Sequence, residues 1–437
     1  MANPQPRHHA IKAAESFFGS ARFAAALTQT IIGTELGSLF IQQLIGWPGL
    51  IGILGVLLLF ATFSFLARRE AVEWHGLLPI SLLIFVGWAA ISVFWSQYQW
   101  ATFGSVVYFG AVTLLGIYVA LIRDTIQIAR AFGDVLRVAL ALSMALEILS
   151  GVLIDRPIHF LFIQGNLAEL GPLQGIFGTR DQLGVATLIA IVTFGTELRT
   201  RSIQRPLAIG SLVLAVILLL LSRSPIAYGS FVVVAMAAVA LYALRRVPAD
   251  RKRFWQIGLL ALTISVGALS WAARTSIIDA LSASAELKQR LQLWQPMRLL
   301  IQVHELEGWG WVGHWRKDVP PFQLLPNFYD STPTSGLNAY LDVWFQLGLI
   351  GLLAFVGLVG LTFIRSWLLA SRQRSFVYAW PALVLVVLLT TGFAESSMLV
   401  EFGWLTFVVC CVKASRELSW RKAFAAAGPD QSGDLPR

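Results

Sequence analysis

Apolar runs of about twenty residues recur along nearly the whole chain, each long enough to cross a hydrocarbon core of roughly 30 Å at 1.5 Å of rise per residue. Such a chain has few folds open to it, because a backbone in lipid must satisfy its own hydrogen bonds within helices or a closed barrel. Runs this continuous read as helices. A hydrophobic content of 57% against 13% charged residues, with a mean hydropathy of +0.70, lies outside the range of soluble globular chains. The expected fold class is an all-α polytopic membrane protein.

Read this way the chain holds about twelve transmembrane helices, at 23–43, 48–67, 76–95, 101–122, 134–154, 175–197, 205–222, 225–244, 254–273, 338–364, 377–394 and 398–414. They form one membrane domain, 23–414, between an N-terminal tail (1–22) and a C-terminal tail (415–437). The first apolar stretch carries Gln29, Thr30 and Glu35 and no small-residue cleavage site, so it reads as a retained helix. Arg68, Arg69, Arg123, Arg130, Arg199, Arg201, Arg245, Arg246, Arg365, Arg372 and Lys413 fall in alternate connections, whereas the other short connections hold only Arg156 and Arg223, with Arg180 just inside a segment. Basic residues mark the cytoplasmic side. Both termini are therefore expected in the cytoplasm, and the one large connection, 274–337 between the ninth and tenth helices, outside it.

The net charge of +9 resides in these short connections, as membrane orientation requires, and nucleic-acid binding is not indicated. Cys410 and Cys411 are neighbours in the last apolar segment, a packing position rather than a disulfide framework. The six histidines lack metal-ligand spacing, and no metal or cofactor is expected. No internal repeat is evident.

The chemistry is sought in the large connection and the turns beside it. An arginine near the outer membrane face needs an anion. Arg180 in GIFGTRDQLG has Asp181 beside it, and Arg223 in LSRSP has no acidic neighbour in sequence. Arg290, Trp294 and Arg298 follow at helical i, i+4, i+8 spacing, and Leu287, Leu291, Trp294 and Arg298 mark a stripe suited to an interfacial helix. Four guanidinium groups, Arg180, Arg223, Arg290 and Arg298, suit a phosphate or diphosphate. Trp294, Trp309 and Trp311 are candidates for stacking on sugar rings, with anchoring of the connection as the alternative role. Outer acids available as a base are Glu305, Glu307, Asp330, Asp342 and Glu395, each as readily structural.

SVFWSQ (92–97), GIFGTRDQLG (175–184), the arginine of LSRSP, Arg290 followed by Trp294 and GWGWVG, and LNAYLDVWFQLGLIGLL (337–353) together resemble the O-antigen ligase and polymerase family of bacterial envelope glycan assembly, including exopolysaccharide polymerases. The resemblance spans roughly residues 50–412. It implies an undecaprenyl-diphosphate-linked oligosaccharide as donor, a glycan or lipid acceptor, and a multi-pass position in the bacterial cytoplasmic (inner) membrane, alongside other polysaccharide-assembly proteins. It also implies that Arg180, Arg223 and Arg290 contact the diphosphate.

One position departs from the family pattern. Where the family has His-Asn, this chain has Leu337-Asn338, and leucine cannot accept a proton. Another group, with His314, Asp330 and Asp342 as candidates, acts as base, or activation rests on the leaving group, or this copy is inactive.

The expected function is an inverting-type glycosyl transfer, by a polymerase in preference to a ligase because the missing histidine counts most directly against ligase chemistry. A transporter of envelope glycan precursors is the rival that twelve spans suggest, although transporters usually carry halves related by symmetry. A non-catalytic partner in a glycan-assembly complex is the third reading, for which Leu337 is the argument. The topology is open to direct test. A cysteine introduced at Ser282 should react with a membrane-impermeant thiol reagent on intact cells, whereas labelling at Arg251→Cys with protection at Ser282→Cys would invert the orientation.

Overall fold

The computed structural model of the protein describes residues 15–69, 79–248, 251–280, 284–326, 333–373 and 375–417. The described residues are helical, with short 3-10 turns and no named strand. The helices are α1 (Ala21–Leu36), α2 (Ser38–Ala67), α3 (Ile80–Ile91), α4 (Gln99–Ile122), α5 (Thr125–Ile148), α6 (Arg180–Thr200), α7 (Arg205–Ser222), α8 (Pro225–Arg246), α9 (Lys252–Ala272), α10 (Arg274–Ala280), α11 (Ser284–Ile301), α12 (Ala339–Arg372), α13 (Ala379–Thr391) and α14 (Glu401–Glu417).

Local chemistry sets where they begin. Ser20 caps α1 by accepting from Phe23 N, Asp124 and Gln127 form a capping box on α5, and Thr179 accepts from Gln182 N at the start of α6. Ser224 caps α8 with Pro225 next to it, and Asn338 Oδ1 accepts from Tyr340 N and Leu341 N at the start of α12. Each side chain satisfies amide groups that the first helical turn leaves without partners.

Each of the twelve expected segments coincides with a helix, but helix length and apolar composition qualify only seven as spans: Ser38–Ala67, Gln99–Ile122, Thr125–Ile154, Arg180–Thr200, Arg205–Ser222, Pro225–Arg246 and Ala339–Arg372. The expected count of twelve is thus not met by this measure. Ile80–Phe94, Arg253–Leu269 and Phe376–Thr391 are apolar and shorter. Two boundaries also move for identifiable reasons. The first two expected segments meet at Gly37, and α2 runs through a break at Gly46 (φ 74) just ahead of Pro48. The sixth begins five residues late, because 175–177 form a 3-10 turn and Gly178 takes φ 77, so that Arg180 is the first helical residue.

The core is built around α6, α13 and α14, whose side chains are mostly buried. Buried indole groups there have partners: Trp380 Nε1 donates to Thr193 Oγ1 at 2.9 Å and Trp404 Nε1 to Thr113 Oγ1 at 2.8 Å, while the Trp404 ring stacks on Phe109 at 4.5 Å. In a medium without water a lone indole N–H is costly, so these bonds fix the register of neighbouring helices. By contrast α2, α7 and α8 leave long apolar faces exposed, as helices bordered by lipid do.

The two ends of the bundle differ in chemistry. At one, Lys413 Nζ donates to Arg123 O at 2.5 Å, Arg416 to Leu121 O at 3.2 Å and Arg245 to Ala370 O at 2.9 Å. At the other, the connections 155–178, 302–326 and 333–338 fold over the helix ends. The large connection is therefore more than a loop, since it contains α10, α11 and a second apolar cluster of Leu293, Met297, Ile301, Val312, Trp315 and Phe322 closed by Phe345 of α12.

That cap is pinned where α12 breaks. Gly348 takes φ 67 inside the helix, Leu349 N donates to Glu305 O at 2.8 Å, and Gly310 N donates to Gln346 O at 2.8 Å. A Cβ at Gly348 would lie 2.1 Å from Leu306 O, against backbone that cannot give way. Gly348→Ala should therefore loosen the cap and lower stability by about 2 kcal/mol or more. Faster proteolysis within 302–326 of the detergent-solubilised protein, with the helix content retained, would report it.

Candidate active site

Glu147 of α5 is buried, and its Oε1 accepts from Gln174 N (3.0 Å) and Gly175 N (2.9 Å). Ser143 Oγ accepts from Ile176 N at 3.2 Å. Gly175 takes φ 57, and a Cβ there would meet Ser143 at 2.5 Å, so the chain passes α5 only because this position is glycine. The clamp ends at Thr179 and delivers Arg180 and Asp181 to the first turn of α6. Leu173 N donates to Leu221 O at 2.9 Å and ties the same connection to the α7–α8 turn. There Ser224 Oγ donates to Asp181 Oδ1 at 2.5 Å.

Against this turn lies α11. Glu286 pairs with Arg180 and also with Arg290, Nη1 to Oε2 at 3.3 Å. Arg290 further contacts Glu395 at 3.4 Å and donates from Nε to Ala394 O at 3.3 Å. Two arginines 110 positions apart in sequence thus share one carboxylate. Burial and the negative charge of Asp181 push the Glu395 carboxyl up to about 8, against the opposing pull of Arg290. Near neutral pH Glu395 is mostly uncharged, and Arg290 keeps more of its positive charge for another anion.

Not every expected arginine joins this cluster. Arg223, in the left-handed region at φ 46, is exposed and donates to Glu169 O at 3.2 Å, so its backbone borders the site while its side chain turns to the neighbouring connection. Arg298 is exposed and has no ion pair among the described residues. The expected stripe of α11 is also displaced. Arg290, Leu293, Met297 and Ile301 form the buried face, and Leu291 is 46% exposed. The helix packs into the cap rather than along a bilayer surface, because Phe345 and Trp315 offer it an apolar partner.

The tryptophans are likewise redirected. Trp311 is 1% exposed, with its ring 4.8 Å from Phe109, which corrects the expectation of a glycan contact: no face is open to a sugar. Trp294 Nε1 donates to Gly336 O at 2.9 Å and Trp309 Nε1 to Leu300 O at 3.1 Å, anchoring contacts for both.

Of the expected base candidates, Asp330 lies outside the described residues. Asp342 is enclosed: Oδ1 accepts from Trp315 Nε1 (2.9 Å) and Gln346 Nε2 (2.8 Å), and Oδ2 from Gly336 N (3.1 Å). At 1% exposure it has no route to a substrate hydroxyl, and its geometry is that of a latch. His314 differs. Its Nε2 lies 2.8 Å from Glu401 Oε1, and although burial disfavours the imidazolium, the Glu401 charge and hydrogen bond outweigh it and raise the histidine above its ordinary value. Glu305 is exposed, and Glu307, bonded to His304 at 2.8 Å, sits below its ordinary value.

Leu337 takes φ 47 and packs against the second cluster. Asn338 next to it donates from Nδ2 to Phe393 O (3.0 Å) and from N to Ser396 Oγ (3.3 Å), on the connection that holds Glu395. Position 337 thus adjoins the arginine pair. Sequence reading missed Glu286, Glu401 and Glu35. Glu286 stands at i−4 from Arg290, a spacing that could have marked the pair, whereas nothing local marks Glu401 as the partner of His314. Among the described residues no group of three or more His, Cys, Asp and Glu is arranged to hold a metal ion.

Asp342→Ala would orphan the Trp315 indole and the Gly336 amide at once. At about 1–3 kcal/mol for each buried group left without a partner, thermal unfolding should register a loss of roughly 3 kcal/mol. Asp342→Asn, which keeps an acceptor, should lose less.

A search of curated proteins finds no match to the chain. The sequence model of the family described as O-antigen ligase matches residues 210–356, from within α7 through the arginine-bearing α11 to the middle of α12, consistent with the O-antigen ligase and polymerase family.

Proposed function

We propose that the protein transfers a glycan from an undecaprenyl-diphosphate-linked donor at the outer face of the bacterial cytoplasmic membrane, as a surface-polysaccharide polymerase or, second, an O-antigen-type ligase. The observation that carries this reading is the meeting of Arg180 and Arg290 over Glu286. A carboxylate held by two guanidinium groups stands where a diphosphate would be held, and a donor with more negative charge and more acceptor oxygens displaces it. The polyprenyl chain then lies in the bilayer while the sugar projects into the capped end.

As the bond from the anomeric carbon to the diphosphate breaks, charge builds on the leaving group, and fixed guanidinium groups stabilise it most at that point. Arg223 guards the rim from its place on the Glu169 carbonyl. With leucine at 337, the pair of His314 and Glu401 takes the part of the base. The side of the membrane follows from charge: the arginine-rich short turns lie at the opposite end of the bundle and mark it as cytoplasmic, with both termini there.

Proteoliposomes charged with lipid-linked repeat units extracted from the source cells should release undecaprenyl diphosphate and form longer glycans. Arg290→Ala should slow release by about 10²-fold, Arg290→Lys by less because charge survives without the fork, and Arg298→Ala little. Above pH 8 Glu395 ionises and competes for Arg290, so donor binding should weaken there, and Glu395→Gln should extend binding to higher pH. Movement of lipid-linked glycan without new bonds would replace this reading with transport.

A further inference from the structure

Beside the arginine pair the structure holds a second group of polar side chains that donor binding does not use. Glu35, at the end of α1, is 2% exposed, and neither of its carboxyl oxygens has a hydrogen-bond partner among the described residues. A buried carboxyl without a partner is retained at a cost, which points to a ligand or a proton as its purpose. It lines a cavity of about 60 Å³ together with Ser38, Gln182, Ser397 and Glu401, enough for a few waters or the hydroxyl-bearing edge of a sugar. Tyr108 of α4 also has a buried hydroxyl without a hydrogen-bond partner among the described residues. On the far side of Glu401 stands His314, which in turn feels Asp342.

The chemistry of this cavity is opposite to that of its neighbour. Two carboxyls repel a diphosphate and accept from neutral hydroxyl donors. The two places are nonetheless joined by short pieces of chain: Gln182 follows Arg180 in the first turn of α6, and Ser397 follows Glu395 in the connection before α14. A transfer that displaces the diphosphate needs the attacking hydroxyl to approach from a separate subsite next to it.

We infer that this cavity is the acceptor subsite, which takes the hydroxyl-bearing edge of a neutral glycan, with Glu35 and Ser38 positioning it and Glu401 removing the proton of the attacking hydroxyl. The inference rests on the donor reading above. In the step it assigns, the acceptor oxygen forms a bond to the anomeric carbon, the bond from that carbon to the diphosphate breaks with its electron pair remaining on the diphosphate, and the hydroxyl proton passes to Glu401. His314, hydrogen-bonded to the carboxyl that does this, is a positioning residue.

The test uses full-length protein in liposomes with the extracted lipid-linked repeat unit, following retention of the labelled lipid and release of undecaprenyl diphosphate from pH 5 to 9. Glu401→Gln should lower release by about 10²-fold, while lipid retention is unchanged. Glu35→Gln should lower release at least tenfold with retention unchanged, and Glu401→Asp should recover part of the rate. His314→Gln should change the pH dependence of release while lipid retention is unchanged. Should Glu35→Gln fail to fold, Ser38→Ala on the same wall should raise the concentration of repeat unit needed for half-maximal release. Release at the wild-type rate from Glu35→Gln, Ser38→Ala and Glu401→Gln, in a protein whose release still requires Arg290, would overturn the acceptor subsite and leave the donor reading in place. Release and retention that are indifferent to Arg290→Ala would overturn the donor reading, and this assignment with it.

Discussion

Glu286 is the contact on which the capped end of the bundle depends. It ties Arg180, placed by α6, to Arg290, placed by α11, and so joins the membrane helices to the connection that covers them. In an apolar setting an unpaired guanidinium is expensive, and a carboxylate shared by two of them offsets that cost until another anion arrives. The same bridge fixes the distance between the two forks. On the proposed donor reading, stability without substrate and affinity for it draw on the same two side chains.

Around the bridge, buried polar side chains hold backbone rather than substrate. Glu147 takes up the amides of the 174–175 turn, Gln346 those of Val312 and Gly313, and Asp342 that of Gly336. Irregular backbone at this depth must satisfy its amides with protein groups. These acids and amides are therefore the scaffold of the site. An acidic residue beside an apparent active site is not thereby a base: what separates Glu35 and Glu401 from Asp342 is that their carboxyls face a cavity instead of a full set of donors.

Leu337 gives the site its particular character. Its neighbour Asn338 is bonded to the connection bearing Glu395, so a side chain at 337 stands near the arginine pair yet offers no proton acceptor. His314 reaches Glu401 from the other side of the cap. On the proposed reading the base lies one connection away, and a leaving group held by arginines keeps a proton acceptor across from it.

Much was legible along the chain because it depends on local periodicity. Apolar runs marked the helices, and Arg180 and Arg290 stood out as charges that an apolar chain has to justify. The family likeness read from these motifs agrees with the match over residues 210–356. What sequence spacing could not supply was orientation between segments: which face of α11 turns inward, that Trp311 is enclosed by Phe85 and Phe109, and that Arg298 points away. The number of qualifying spans also fell, because Ile80–Phe94, Arg253–Leu269 and Phe376–Thr391 form helices shorter than their apolar runs suggested. The sequence alone determined a helical membrane protein with basic groups set among apolar segments, since hydrophobicity and charge are properties of residues. Only the tertiary structure decided which charges meet, because Glu286 with Arg180, and Glu401 with His314, are neighbours across long stretches of chain whose approach is set by the packing of helices.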